Sequence, residues 1–143
     1  MTKKIVVVVF ANLMCFICLY AQTKTINIKD YLNGPDATVA VYEGIKQCRK
    51  TEANKLIFPK GKYEFWPEYA IERFCFVSNN SEGLKRFAFD LSGMKNFEID
   101  GQGSEFVFHG FICPFLLDQS SDIRFKNFSI DYSRTFHSEG KIV

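Results

Sequence analysis

Residues 96–110, NFEIDGQGSEFVFHG, carry the clearest structural signal in the chain. Apolar residues alternate on each side of a Gly-Gln-Gly turn, with Phe97 and Ile99 before it and Phe106 and Phe108 after it. Alternation with a period of two predicts a β-strand with one buried face. Because both glycines of the turn can adopt a positive φ angle, we expect the backbone to turn sharply between the two strands.

A similar pattern recurs at residues 122–132, DIRFKNFSIDY. Placing Ile99 on Phe125 gives a repeat period of 26, whereas placing Phe108 on Ile130 gives 22, because the first copy has the longer turn. Repeats of this length, made of short strands and tight turns, are typical of a stacked solenoid. An antiparallel β-sandwich is the alternative, since its strands also follow one another closely. Sandwich strands need not repeat their pattern, so the repeat favours an all-β solenoid.

Only one segment predicts an α-helix, over about residues 36–50. Asp36 is its candidate N-cap, and apolar residues then recur at helical spacing: Ala37, Val41, Ile45 and Cys48. A solenoid exposes apolar side chains and strand edges at its open end, and we expect this helix to cap that end. The turns of the solenoid, or rungs, then occupy about residues 55–143. Residues 140–143 resemble the start of another strand, so we expect this chain to be the N-terminal part of a longer protein.

The N-terminus has the pattern of a secretory signal peptide. A basic start precedes the apolar run 5–19, and Ala21 supplies the small residue of a cleavage site. The run is shorter than the roughly 20 apolar residues that a membrane-spanning helix needs, so an uncleaved anchor is the less favoured alternative. We therefore expect cleavage near Ala21, which leaves residues 22–143 as one secreted or periplasmic domain with no membrane partner.

Charge and cysteine content exclude several classes of function. Without Lys3 and Lys4 of the leader, the 18 basic residues fall to 16, equal to the 16 acidic residues. This balance gives no electrostatic footprint for nucleic acid or for an anionic membrane. Cys48, Cys75 and Cys113 lack metal-ligand spacing, so we expect neither a metal nor a cofactor. One disulfide could form in an oxidising compartment, although buried free thiols are favoured.

Several motifs of the mature chain resemble one known family. FPKGKY (58–63), which follows the predicted helix, is similar to the entry of the pectin-lyase-like right-handed parallel β-helix superfamily. Four further segments resemble glycoside hydrolase family 110, whose members are exo-acting α-1,3-galactosidases: FWPE (65–68), VSNN (77–80), IDGQGSEFVFHG (99–110) and KNFSIDY (126–132). The resemblance spans about residues 25–140.

The resemblance implies a right-handed parallel β-helix and an inverting hydrolase that removes terminal α-linked galactose from host or dietary glycans. Inversion requires two carboxyl groups about 6.5–9.5 Å apart. Carboxylates one or two rungs apart meet this condition, because parallel strands lie about 4.8 Å apart. The resemblance places the family's catalytic acids on rungs beyond this chain, so we assign none here. A pectin-type polysaccharide lyase or polygalacturonase, or a non-catalytic glycan-binding β-helix, are the alternatives on the same fold.

The candidates for contacting carbohydrate are Trp66, His109, Asp131, Arg134 and His137. Aligning residues 106–109 with 128–131 places His109 directly below Asp131, where the carboxylate would orient the imidazole or form a purely structural pair. The segment 131–137 combines groups that commonly hold sugars, or it is a solvated loop. Trp66 is a sugar platform or a filler of the core or rim. We expect Asp100 to fix the glycine turn through backbone hydrogen bonds rather than to act in catalysis.

Overall fold

The computed structural model describes residues 23–76 and 82–134. The predicted signal peptide, the motif at 77–80, His137 and the strand start at 140–143 lie wholly or mainly outside these residues. The described elements, in chain order, are β1 (Thr25–Asn27), a 3-10 helix (Ile28–Tyr31), α1 (Ala37–Thr51), β2 (Lys55–Ile57), β3 (Lys62–Phe65), a 3-10 helix (Pro67–Tyr69), β4 (Ile71–Cys75), β5 (Gly83–Asp90), β6 (Lys95–Phe108), β7 (Cys113–Leu116) and β8 (Ser121–Tyr132). Strands predominate in this part of the chain, in agreement with the all-β prediction. None of its helices has the length and hydropathy of a membrane span.

Helix α1 begins directly after Asp36, the predicted N-cap. The Oδ1 atom of Asp36 accepts a hydrogen bond from the Thr38 N–H group at 2.8 Å, which satisfies a helix-terminal donor. The helix ends at Thr51, and the C-cap residue Glu52 terminates the helical backbone with a φ of 55°. Its buried face packs on β1, β2, β3 and β5 through these residues: Ala37, Thr38, Ala40, Val41, Gly44, Ile45 and Cys48.

The larger sheet is entirely parallel. Strand β6 is long enough to pair with β2 along its first half and with β3 along its second half, both at the same sequence offset of 43. Strand β1 lies beyond β2, and β8 lies on the other side of β6. The larger sheet is therefore a stack in which β6 is the inner strand and β8 is an edge strand.

The smaller sheet has the order β4-β5-β7, and only its β5–β7 pair is parallel. Strands β4 and β5 are antiparallel, with Phe74 opposite Leu84. This pair departs from the all-parallel solenoid that the sequence predicts. The physical reason is the short connection between Cys75 and Gly83, because a parallel pair needs a crossover of a dozen or more residues. The β4–β5 hairpin also explains why the sequence offset between β2 and β6 is 43 rather than the predicted 22–26.

The register of β6 and β8 confirms one half of the sequence alignment and corrects the other half. Ile99 lies opposite Phe125, which is the predicted sequence offset of 26. After the bend, Phe106 rather than Phe108 lies opposite Ile130, so the offset is 24 and not 22. The first copy does have the longer bend, as predicted, but by two residues instead of four.

The glycines of this bend have different roles. Positive φ angles occur at Gln102 (50°) and Gly103 (85°), so the left-handed backbone begins one residue later than predicted. A Cβ atom on Gly101 would lie 2.5 Å from the Cβ atom of Phe128 and 2.8 Å from the carbonyl oxygen of Asn127. Gly101 is therefore needed for the close approach of β8, and the prediction of a positive φ angle is wrong for this residue.

One aromatic core lies between the two sheets and α1. Phe106 contacts the rings of Phe58, Phe65 and Phe89 at centroid distances of 4.8, 5.4 and 5.9 Å. The four residues predicted to face inward on β6 are buried, which confirms the alternation of that strand: Phe97, Ile99, Phe106 and Phe108. Residues of the neighbouring strands are buried with them: Tyr63 and Phe65 of β3, Phe87 and Phe89 of β5, and Leu91. All three cysteines among the described residues are free thiols. Cys48 is buried, and burial raises its pKa to about 12, whereas Cys75 and Cys113 are half-buried.

Candidate functional site

Trp66 and His109 form a stacked pair at the ends of two neighbouring strands. Phe65 of β3 pairs with Phe108 of β6, so the next residue of each strand lies beside the other. The His109 N–H group donates to the Phe65 carbonyl oxygen at 2.9 Å and continues the ladder by one step. The two rings are parallel with centroids 4.2 Å apart. Because His109 covers one face of the indole, a sugar can contact only the other face or the edge of Trp66.

The carboxylate nearest to His109 belongs to Glu64. The Glu64 Oε1 atom lies 3.7 Å from His109 Nε2, which is too far for a hydrogen bond. The Nε2 atom is enclosed and has no hydrogen-bond partner among the described residues. Glu64 Oε1 also forms an ion pair with Lys62 Nζ at 3.0 Å. This contact, chiefly a hydrogen bond, raises the pKa of Lys62. The sequence did not identify Glu64, although its outward position between Tyr63 and Phe65 could have done so.

The predicted contact between His109 and Asp131 is wrong. Asp131 lies opposite Val107, because the sequence offset after the bend is 24. Val107 also lies opposite Glu64, so the two carboxylates flank one apolar residue on the outward face of β3, β6 and β8. Two strand spacings correspond to about 10 Å between their backbones. Asp131 is exposed, and its Oδ1 atom accepts a hydrogen bond from the Tyr132 N–H group at 2.7 Å.

Two candidates from the sequence remain, Arg134 and His137. Arg134 is exposed, two residues past the end of β8, where the Ser133 N–H group still donates to the Phe108 carbonyl oxygen at 3.0 Å. His137 lies outside the described residues. We use the name "ladder-end surface" for Glu64, Trp66, His109 and Asp131. It offers two carboxylates, an indole and an imidazole, groups that suit hydroxyl and ring-face contacts.

Asp100 has the structural role that the sequence predicts. Its Oδ1 atom accepts hydrogen bonds from the Gln102 N–H group (3.1 Å) and the Asn127 side-chain amide (2.9 Å). Its Oδ2 atom accepts one from Lys55 Nζ at 2.8 Å. The Lys55 hydrogen bond, followed by that of Asn127, lowers the pKa of Asp100 to about 2. Glu98 beside it bridges Lys55 and Lys126, at 3.0 and 2.7 Å. This network joins β2, β6 and β8 at the bend.

No group of three or more potential metal ligands comes together within residues 23–76 and 82–134. The ladder-end surface presents polar and aromatic side chains from parallel strands. Within it, the carboxylate of Glu64 forms an ion pair with Lys62 at 3.0 Å.

Comparison with known proteins relates this chain to one class of enzyme. No family model matches the chain. Curated relatives nevertheless agree on one enzyme class, and their similarity supports a relationship to the α-galactosidases, which are glycosidases acting on carbohydrate.

The particular relatives are bacterial α-1,3-galactosidases. The chain is 44% identical to α-1,3-galactosidase A of Shewanella woodyi over 124 residues, which are 84% of this chain and 20% of that protein. It is 34% identical to α-1,3-galactosidase B of Bacteroides thetaiotaomicron over 125 residues, again 84% of this chain and 20% of the relative. It is 38% identical to α-1,3-galactosidase B of Parabacteroides distasonis over 112 residues, 78% of this chain and 18% of the relative. The chain thus spans about a fifth of the length of these relatives.

Proposed function

We propose that this chain is the N-terminal portion of a secreted, exo-acting α-1,3-galactosidase of glycoside hydrolase family 110. In this proposal, the whole protein removes terminal α-linked galactose from glycans with inversion at the anomeric carbon. The observation that carries it is the 44% identity to an α-1,3-galactosidase over 84% of the chain. Two further relatives with the same activity in their names support it.

The corresponding fold is a right-handed parallel β-helix whose first rungs are built by this chain. Three features support this proposal. Strands β2 and β3, then β6, then β8 stack in parallel, and β5 and β7 stack in parallel on the other side of the aromatic core. The sequence offset from β5 to β7 is 26, equal to that of the first half of β6 and β8. Helix α1 lies over the end of the core beside β1 and acts as its cap.

Within this enzyme, the ladder-end surface contacts the sugar chain rather than the bond that is cleaved. Its carboxylates, Glu64 and Asp131, are acceptors for neutral sugar hydroxyls, and Trp66 provides an apolar ring surface. The ion pair with Lys62 at 3.0 Å holds the Glu64 carboxylate on this surface, where its oxygens can accept hydrogen bonds from hydroxyl groups. We place the acid and the base on later rungs, outside this chain.

The activity is tested with the protein encoded by the complete gene. We expect release of galactose from Gal-α-1,3-Gal with the β-anomer formed first, as detected by NMR during the first turnovers. Polygalacturonate serves as the matched polymer for the lyase and polygalacturonase alternatives. Cleavage of polygalacturonate, or no cleavage of either substrate, would overturn the proposed activity.

The sugar contact is tested in the same protein by Trp66→Ala and His109→Asn. We expect each variant to raise KM for Gal-α-1,3-Gal more than it lowers kcat, because uniform binding of substrate and transition state is lost. Glu43→Gln, on the exposed side of α1, is the control and should match the wild type. Unchanged kinetics in both site variants would leave the stack with only a structural role.

Secretion is tested by N-terminal sequencing of the exported protein. We expect the mature chain to begin near Gln22, directly after the small residue Ala21. A mature protein that still begins with Met1 would contradict cleavage of the leader.

A further inference from the structure

The side-chain hydroxyl of Thr38 makes two hydrogen bonds to a residue outside its own helix. The hydroxyl accepts from the Trp66 N–H group at 3.1 Å and donates to the Trp66 carbonyl oxygen at 3.2 Å. Thr38 is 1% exposed and is one of the few buried polar residues of the described chain. A single buried hydroxyl therefore satisfies both backbone groups of the residue that carries the indole.

The reason lies in how α1 interrupts the ladder next to β3. Asp36 still pairs with Glu64 in a parallel bridge, as a preceding strand would. The chain then turns into α1, with Asp36 as N-cap, so among the described residues no strand continues beside Trp66 on the side away from β6. The Thr38 side chain lies at that place and replaces the missing backbone partner. The start of α1 thus holds both Glu64 and Trp66, and through Trp66 the stacked ring of His109.

We propose that Thr38 is a positioning residue for Trp66, so that the start of α1 sets the geometry of the ladder-end surface. In this role Thr38 acts through the backbone of Trp66 rather than through either ring of the stack. The consequence for sugar binding rests on the proposed function, whereas the consequence for the indole does not.

The first experiment needs no ligand and uses the chain as it stands, in which Trp66 is the single tryptophan. Thr38→Val keeps the shape of the side chain and removes the hydroxyl, whereas Thr38→Ser keeps the hydroxyl. Thr51→Val is the matched control, because Thr51 also lies in α1 and donates its hydroxyl hydrogen bond to Gln47 rather than to Trp66. The readout is acrylamide quenching of Trp66 fluorescence together with its emission maximum.

We expect Thr38→Val to increase the quenching constant about two-fold and to shift the emission to longer wavelength, since unsatisfied backbone groups of Trp66 will move toward water. Thr38→Ser and Thr51→Val should match the wild type. Equal quenching in Thr38→Val and the wild type would overturn the proposal. If Thr38→Val does not fold, amide exchange in the wild type decides instead. Protection of the Trp66 amide supports the proposal, and exchange at the rate of a free amide overturns it.

The second experiment separates this proposal from the proposed function. In the complete enzyme, Thr38→Val should raise KM for Gal-α-1,3-Gal about ten-fold with little change in kcat, and Thr38→Ser should restore it. A purely structural role would lower the amount of folded enzyme and leave KM unchanged, which would overturn positioning of the sugar surface. If Trp66 fluorescence responds to Thr38→Val but the activity assay shows no galactosidase at all, the positioning of Trp66 stands and the proposed function fails.

Discussion

Strands β6 and β8 carry nearly the same sequence pattern but lie in different environments. The inward residues of β6 are 1% exposed or less: Phe97, Ile99, Phe106 and Phe108. Their partners on β8 are far more open, with Phe125 36% and Ile130 46% exposed. Strand β6 has neighbours on both sides, whereas β8 pairs with β6 alone among the described strands. Burial, and therefore stability, depends here on neighbouring strands rather than on the alternating pattern itself.

Among substitutions in these two strands, we expect Phe106→Ala in β6 to lower the free energy of unfolding the most. The Phe106 ring contacts several aromatic side chains, including Phe58 at 4.8 Å and Phe128 at 4.4 Å. Phe106→Ala removes these contacts and leaves a cavity, so we expect a loss of about 3–5 kcal/mol in the free energy of unfolding. Urea unfolding of the chain measures this loss. Phe106→Leu should lose distinctly less, and a loss below about 1 kcal/mol for the alanine variant would contradict the buried position.

The contact between the two bends should give the next largest effect. Gly101→Ala places a Cβ atom against the backbone and Cβ atom of β8, so we expect a loss of about 1–3 kcal/mol through overpacking. Gly61→Ala is the matched control, because its nearest neighbour would lie at an ordinary 3.6 Å. Equal unfolding free energies for the two variants would show that β8 does not approach Gly101 closely.

The hydrogen-bond network of Asp100 at the bend should make the free energy of unfolding depend on pH in the acidic range. The pKa of Asp100 is about 2 in the folded chain, below the ordinary value of 3.8, chiefly because of the Lys55 hydrogen bond. The ionised Asp100 carboxylate therefore contributes its full stabilisation of the folded chain above about pH 4, and this stabilisation is lost as the pH falls through 2. We expect the gap in unfolding free energy between the wild type and Asp100→Asn to shrink by at most about 2.5 kcal/mol between pH 5 and pH 2.

Lys55→Met serves as the control for that acid dependence. It removes the largest cause of the lowered pKa, so most of the acid dependence should disappear from this variant. An acid dependence that persists unchanged in Lys55→Met would show that another carboxylate carries it.

The smallest effect should be at Ile130, which lies opposite Phe106 on β8. Because the side chain is 46% exposed, Ile130→Ala removes little buried apolar surface. We therefore expect the free energy of unfolding to fall by about 1 kcal/mol or less. The comparison with Phe106→Ala in the same urea experiment is the test. Similar losses at the two positions would mean that β8 is covered as well as β6.

The sequence predicted those parts of the fold that depend on local signals. The helix follows its N-cap Asp36, and the alternation of Phe97 with Ile99 and of Phe106 with Phe108 identifies buried faces correctly. The offset of 26 between Ile99 and Phe125 was also readable, because similar patterns could be aligned directly before the bend.

The sequence could not predict what depends on bend geometry or on distant partners. The sequence offset after the bend is set by residues with left-handed backbone: Gln102 and Gly103 in β6 and Asn127 in β8. The sequence alignment gave an offset of 22 instead of 24, and so it placed Asp131 opposite His109 rather than Val107. The candidate site assembles residues that are far apart in the chain, so the Trp66–His109 stack and the 3.7 Å approach of Glu64 to His109 could not be predicted, although the outward position of Glu64 could. The antiparallel β4–β5 pair was missed for a different reason: the connection from Cys75 to Gly83 is too short for a parallel crossover, and this local signal was not used.

The register of β6 and β8 supports the account of the ladder-end surface, and cysteine cross-linking tests it most directly. In a chain whose native cysteines are replaced by alanine, Ser129→Cys is combined either with Glu105→Cys, its partner in the structure, or with Val107→Cys, two residues along. Parallel partners lie about 5 Å apart, within reach of a disulfide, whereas the diagonal pair lies beyond about 7 Å. We predict rapid oxidation to a disulfide for the Glu105 pair and none for the Val107 pair. Cross-linking of the Val107 pair alone would contradict the register and the placement of Asp131.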